Sequence, residues 1–217
     1  MDFEKARFNM VEQQIRTWEV LNQDVLDLLF QIPREEFVPE AYRKLAFADT
    51  QIPLDESQVM MPPREEARLL QMLGLQGEEH VLEVGTGSGY LTALLAASCR
   101  HVTSVEISQT LHDQAKAKLD ARGVKNVTLR QGDALHGWAS DGPYDAIALT
   151  GSVPTLDEQI PQQLKPGGRL FVVVGVAPAM EALLLTRVGA DDWSRESHFE
   201  TVLPPLVGAV APSEFVL

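Results

Sequence analysis

The sequence predicts an α/β protein: a mostly parallel sheet flanked by helices, with an N-terminal helical extension. Three observations lead there. From residue 80 onward, short β-rich runs alternate with helical stretches, the order that a parallel sheet covered on both faces requires. A glycine-rich turn, "EVGTGSGY", stands between the first such strand and the helix after it. Ahead of residue 75, apolar residues recur at helical spacing instead.

Taken in order, Val11, Ile15, Val20, Val25, Leu26 and Leu29 give the helical period across residues 3–30, interrupted near Trp18 to Asn22, so two helices are expected. In "IPREEFVPEAYRKLAF" the prolines stand at the starts of short helical pieces, while "ADTQIPLDESQVMMPP" is too broken by Pro, Asp and Ser to be regular. "REEARLLQMLGL" is a helix stopping at Gly74. Then "HVLEVG" reads as a strand, "GYLTALLAASC" as a helix, "HVTSVEI" as a strand and "QTLHDQAKAKLDARG" as a helix ending at Gly123. "NVTLRQGD" and "YDAIALTG" are strands, "LDEQIPQQL" a short helix, "KPGG" a tight turn with one glycine at positive φ, and "RLFVVVG" a strand. The tail "DWSRESHFETVLPPLVGA" reads as one or two further strands, antiparallel at the sheet edge. The division expected is residues 1–74, helical extension and substrate loop, packed on a core of 75–217 as one compact unit. No internal repeat or low-complexity segment interrupts it.

Composition narrows the function classes. The chain has 217 residues, 45% of them hydrophobic and 23% charged. Its net charge of -13 repels phosphate backbones and anionic lipid, so neither nucleic acid nor a membrane surface is expected as a partner. No apolar run reaches the roughly 20 residues of a membrane span, and "MDFEKARFNMVEQQIR" lacks the apolar core of a signal peptide, so a cytoplasmic location is expected. The single cysteine, Cys99, excludes an internal disulfide and sits on the apolar side of a helix, where a buried structural thiol is expected. Five dispersed histidines show no paired ligand spacing, so no metal is expected.

The glycine-rich turn follows a strand and opens a helix, the setting in which a ligand approaches backbone amides at a helix N-terminus. The dinucleotide fingerprint is G-x-G-x-x-G, whereas Gly85, Gly87 and Gly89 give G-x-G-x-G, with Glu83 ahead of the first glycine. This spacing resembles the first motif of the Rossmann-like S-adenosylmethionine (SAM) methyltransferases and disfavours a nicotinamide dehydrogenase. Two further acids point the same way. Glu106 ends the second strand, where a carboxylate can accept both ribose hydroxyls, and Asp133, in "QGDA", is placed to accept from an adenine amine. Glu83 would then meet the methionine ammonium. The expected cofactor set is Glu83, Gly85, Thr86, Gly87, Ser88, Gly89, Tyr90, Glu106, Ile107, Gly132, Asp133 and Ala134, with SAM as cofactor and S-adenosyl-L-homocysteine as product.

The resemblance sharpens over nearly the whole chain. "MVEQQIR", "IPREEFVPEAYRKLAFAD", "VLEVGTGSGYLTALLA", "SVEIS", "NVTLRQGDALHGW", "YDAIALTGSVPTLDEQIPQQLKPGGRL" and "PPLVG" are similar, in the same order, to segments of the protein-L-isoaspartate O-methyltransferase family. The resemblance implies a Rossmann-like methyltransferase fold, SAM dependence, carboxyl O-methylation of isoaspartyl residues in aged proteins, and isoaspartyl proteins or peptides as partners. It also marks a departure. In that family the segment before the third helix reads roughly G-x-x-I-S-x-P, with a hydroxyl facing the methyl-transfer centre. Here, without a gap from Pro53 to Pro63, Gln58 falls on the glutamine-like position, Val59 on a hydroxyl-bearing one and Met61 on the key serine. The glycines expected near Asp55 and Ser57 are also missing, which allows another loop path. The substrate-loop candidates are therefore Ser57, Gln58, Val59, Met60 and Met61, with Ser57 able to restore a hydroxyl only through a shifted loop. Three functions stay open on this reading: isoaspartyl methylation, methylation of another peptide or a small molecule in a more apolar pocket, and SAM binding without turnover.

Overall fold

The computed structural model describes residues 2–209. Helix α1 (Phe3–Asn9) opens on Asp2, whose side chain accepts from the Lys5 amide. It runs on into a π-helical stretch, Met10–Ile15, and a 3-10 turn, Arg16–Trp18, closing at Glu19 with φ 64°. The predicted interruption is thus a real left-handed stop. Asn22 then caps α2 (Gln23–Gln31) by accepting from the amides of Asp24 and Val25. Pro33 and Pro39 precede two 3-10 pieces, Arg34–Glu36 and Glu40–Leu45.

The stretch expected to be irregular is a small antiparallel ribbon. Strand β1 (Ile52–Pro53) pairs with β2 (Val59–Met60), Ile52 opposite Met60 and Pro53 opposite Val59. The Leu54 amide donates to the Gln58 carbonyl at 2.8 Å, and Asp55–Ser57 forms the tip. Two-residue strands are too short to leave an alternating pattern, which is why the sequence hides them. The tip carries positive φ at Glu56 (55°) and Ser57 (59°), a region costly for residues with a Cβ. From Pro63 the helix α3 runs to Leu73 and ends at Gly74 in the left-handed region, as the sequence predicts.

The sheet has seven strands in the order β5-β4-β3-β6-β7-β8-β9. Strands β3 (His80–Val84), β4 (His101–Glu106), β5 (Val127–Gln131), β6 (Tyr144–Val153) and β7 (Leu164–Val176) are parallel. Helices α4 (Tyr90–Ser98), α5 (Gln109–Ala121) and the single turn α6 (Gln159–Gln162) connect them. Strands β8 (Ala179–Arg187) and β9 (Trp193–Glu200) add antiparallel at the edge. Three differences from the sequence reading stand out. "KPGG" is not a free turn but an excursion inside β7, where the register jumps between Tyr144 opposite Leu164 and Ala146 opposite Arg169, with Gly167 at φ +78°. The β8 segment, "AMEALLLTR", went unread, because a compact apolar run bounded by polar residues fits helix or strand equally. Of the tail, only Trp193–Glu200 is a strand; residues 201–206 run on without regular structure into a turn at Val207–Gly208, bridged to β6 where the Ser152 amide donates to the Pro204 carbonyl and the Leu206 amide to the Ser152 carbonyl, both at 2.9 Å.

Apolar side chains bury on both faces of the sheet. One face packs against the N-terminal extension, α3 and α4, through residues such as Ile15, Leu26, Phe37, Leu69, Leu94 and Phe171; the other gathers Leu82, Ile147, Ile160, Leu170 and their neighbours. Cys99 is buried and burial pushes its thiol up to about 12, so it is an inert packing residue. No helix among the described residues is long and apolar enough to cross a membrane.

Candidate active site

The topology sets the site's position. The chain enters the sheet at β3, winds outward through β4 and β5, then returns to the other side of β3 at β6, leaving a crevice beyond the strand C-termini where the order reverses. A cleft of about 920 Å³, part of it open to solvent, lies there. Ten of the twelve expected cofactor residues line it: Glu83, Gly85, Thr86, Gly87, Ser88, Glu106, Ile107, Gly132, Asp133 and Ala134. Gly89 and Tyr90 do not. Gly89 is the left-handed N-cap of α4, φ +83°, where an added Cβ would come within 3.2 Å of the Ala115 Cβ, so its role is to let two helices close up. Tyr90 is fully buried beneath the site, its ring 5.5 Å from that of Phe37.

The three acids differ in state. Glu83 is completely buried at the centre of the sheet, and its Oε2 accepts from the hydroxyls of Thr92 (2.5 Å) and Ser104 (2.6 Å). Its Oε1 is buried with no partner in the chain. Burial pushes its carboxyl up to about 8; the two hydroxyls oppose this and nearby Glu106 adds to it. A carboxylate oxygen left unpaired at a cleft wall fits a cationic ligand group, and an ammonium there would complete it. Glu106 already serves its own loop: Oε2 accepts the Gly87 amide at 2.8 Å and Oε1 the Ser108 amide at 3.0 Å. Each oxygen retains a lone pair, so ribose hydroxyls can still be accepted. Asp133 is exposed and lines the cleft, and its Oδ1 accepts the Leu135 amide at 2.9 Å. The chain's donor and acceptor set therefore fits an adenosyl-amino acid, with Glu83 for the ammonium, Glu106 for the ribose and Asp133 for the base.

The ribbon supplies the opposite wall. Gln58, Val59, Met60 and Met61 line the cleft, with Met60 and Met61 almost wholly buried. Ser57 does not: it lies exposed at the ribbon's tip, so the shifted loop that would bring its hydroxyl inward is not the path taken. Two features were missed from the sequence. Thr150, near the end of β6, lines the cleft and donates to the carbonyls of Val84 (2.9 Å) and Gly85 (2.8 Å), so close that a Cβ on Gly85 would lie 2.3 Å from its Oγ1. A polar residue closing an apolar strand was the available signal. The segment Leu203–Val207 lines the cleft, with the Ser152 hydroxyl donating to the Leu203 carbonyl at 2.9 Å; its prolines argue against a strand and were the clue. No Lys, Arg or His lines the cleft among the described residues, and none of their His, Cys, Asp and Glu side chains cluster in threes as for a metal ion.

Comparison with known proteins agrees with this fold. The protein-L-isoaspartate O-methyltransferase of Rhodopseudomonas palustris is 41% identical over 201 residues, covering 92% of each chain. That of Syntrophus aciditrophicus is 40% identical over 189 residues, 87% of each. A solved protein-L-isoaspartate O-methyltransferase superposes with a TM-score of 0.81 at 25% identity, over 94% of this chain and 67% of that one. A Plasmodium falciparum protein solved with S-adenosyl-L-homocysteine superposes at 0.78 with 16% identity, over 95% of this chain and 98% of its own, and shows the shared fold. The family model for protein-L-isoaspartate(D-aspartate) O-methyltransferase matches residues 5–210, and the chain belongs to that family.

Proposed function

We propose that this protein is a SAM-dependent methyltransferase that esterifies the carboxylate of isoaspartyl residues in proteins or peptides, using a water-excluding apolar acceptor wall in place of the family's hydroxyl. The observation that carries this reading is one cleft holding both halves: the acids at the ends of β3, β4 and β5 on one side and the Gln58–Met61 ribbon on the other. Bound SAM supplies an electrophilic methyl group on a sulfonium.

The acceptor carboxylate, with a pKa near 4, is already ionised at neutral pH, so the chain needs no general base. Its own residues orient and exclude water. Glu83, Glu106 and Asp133 fix the donor; Val59, Met60, Met61 and Leu203 keep solvent from two opposite charges that cancel as transfer proceeds. Since no cationic side chain among the described residues lines the cleft, the acceptor's charge is matched by the donor. Net charge, the lone buried cysteine and protein substrates together support a cytoplasmic enzyme.

The apolar ribbon also supports a second reading, the same transfer to a less charged acceptor. One experiment separates them: transfer of labelled methyl from SAM to an isoaspartyl peptide beside its aspartyl twin. Turnover of the isoaspartyl peptide alone is expected. Tight SAM binding with neither peptide labelled would overturn the isoaspartyl reading and leave another acceptor or SAM binding without turnover.

A further inference from the structure

Arg34 belongs to the N-terminal extension, outside both the cofactor turn and the acceptor ribbon, yet its side chain is fully buried. Its planar guanidinium works in three directions at once. Nε donates to the Ala46 carbonyl at 2.9 Å, Nη2 to the Met61 carbonyl at 2.5 Å, and Nη1 to the Glu66 carboxylate. Its flat face lies over the Tyr90 ring, Cζ 5.0 Å from the centroid. Four segments therefore meet on one cation: the turn after residue 45, the end of the acceptor ribbon, the first turn of α3, and the first residue of the helix that follows the cofactor turn.

Burying a cation has a desolvation cost that apolar packing would avoid, so its geometry points to a demand for fixed position. Met61 is where position matters. It leads directly into Pro62 and Pro63, which have no amide hydrogen, so the chain cannot extend the ribbon's hydrogen bonding past it. Arg34 holds its carbonyl instead. Met61 and Glu66 both line the cleft, while Arg34 does not. Glu66 would otherwise set an unpaired negative charge in the wall that receives a carboxylate. Burial pushes the guanidinium down to about 10, which still leaves it charged at neutral pH.

We propose that Arg34 is a positioning residue for methyl transfer: it pins the Met61 backbone, neutralises Glu66, and through Tyr90 registers the acceptor wall against the cofactor turn. The kinetic part of this rests on the methyl-transfer reading above; the mechanical part does not. Lysine cannot substitute, because a single ammonium has neither three coplanar donors nor a flat face.

The test compares wild type with Arg34→Lys and Glu66→Gln by SAM Kd, by kcat and KM on an isoaspartyl peptide, and by amide hydrogen exchange. For Arg34→Lys, exchange at residues 54–60 should quicken about tenfold or more while β3 and β4 exchange as in wild type. SAM Kd should stay within about threefold and kcat fall about tenfold. Wild-type exchange in the ribbon would overturn the proposal, as would quickening spread evenly through the core or SAM Kd worsening in step with kcat. If Arg34→Lys does not fold, Glu66→Gln decides: a looser ribbon with intact SAM Kd supports the proposal and a wild-type ribbon defeats it. Should wild type label no peptide, the function reading fails separately and the exchange arm still judges Arg34.

Discussion

At the scale of single residues the chemistry concentrates on Glu83. Its carboxyl is pushed up to about 8 because it is buried with one oxygen unpaired, so it is mostly protonated in the free protein near neutral pH. An arriving ammonium favours the ionised form. SAM binding is therefore expected to release close to one proton at about pH 7, and progressively less above about pH 8. Calorimetry in buffers of different ionisation enthalpy reads this directly, and Glu83→Gln should abolish the release and weaken binding. The folded-state pKa lies above the unfolded value of 4.5, so the native state binds the extra proton. Glu83 therefore detracts least from stability below the unfolded pKa, and stability is lost as pH rises through the folded value. In Glu83→Gln that loss should vanish, which melting curves on either side of the window would reveal; an unchanged pH profile would refute the buried-acid account. The other two acids should rank by what they hold. Glu106→Ala removes both a ligand acceptor and the anchor of the Gly87 amide, so SAM affinity should fall about a hundredfold, against about tenfold for exposed Asp133→Ala.

At the scale of the element, the acceptor ribbon combines a strained tip with a packed wall. Glu56 and Ser57 hold left-handed backbone at φ 55° and 59°, so Glu56→Gly and Ser57→Gly should each relieve roughly 1 kcal/mol of strain, offset in part by glycine's greater unfolded-state freedom. Single and double variants melting below wild type would show that the tip is not strained. Met61→Ser tests the wall. It returns a hydroxyl to a cleft-lining position and should raise kcat on an isoaspartyl peptide about tenfold to a hundredfold. It also removes a buried side chain, so stability should drop by about 2 kcal/mol or more. Faster turnover in a less stable protein would mean that the apolar wall traded rate for packing. No gain in a folded variant would mean that backbone amides or bound water already serve the acceptor.

At the scale of the whole molecule, how much was legible depended on how long each pattern was. The five parallel strands, α4 and α5 repeat a clear period and bracket the glycine-rich turn, so fold and cofactor end could be read together. The ribbon's strands have two residues each, β8 is apolar without alternation, and Leu203–Val207 lines the cleft while pairing only through a single bridge to Ser152; none of these writes a period into the sequence. Arg34 was hidden for a different reason: one arginine in an acidic 3-10 turn looks like solvated surface until tertiary structure buries it. The same contacts bear on how the chain is divided. Residues 1–74 were set apart as an extension on a core of 75–217, whose last residues lie outside those described. Val11, Leu26 and Leu69 nevertheless share a hydrophobic cluster with Leu94, Phe171 and Met180, and the Lys118 ammonium donates to the Phe37 carbonyl at 2.8 Å. We propose that the two segments are one cooperative unit rather than a domain and an appendage. Trp18 in the extension and Trp193 at the far sheet edge provide separate fluorescence probes once the other tryptophans are replaced. Both should report the same denaturant midpoint, and a fragment beginning at residue 75 should expose the apolar face that the extension covers and fail to fold. An earlier transition at Trp18, with the sheet and SAM binding intact, would instead make the extension a separable lid.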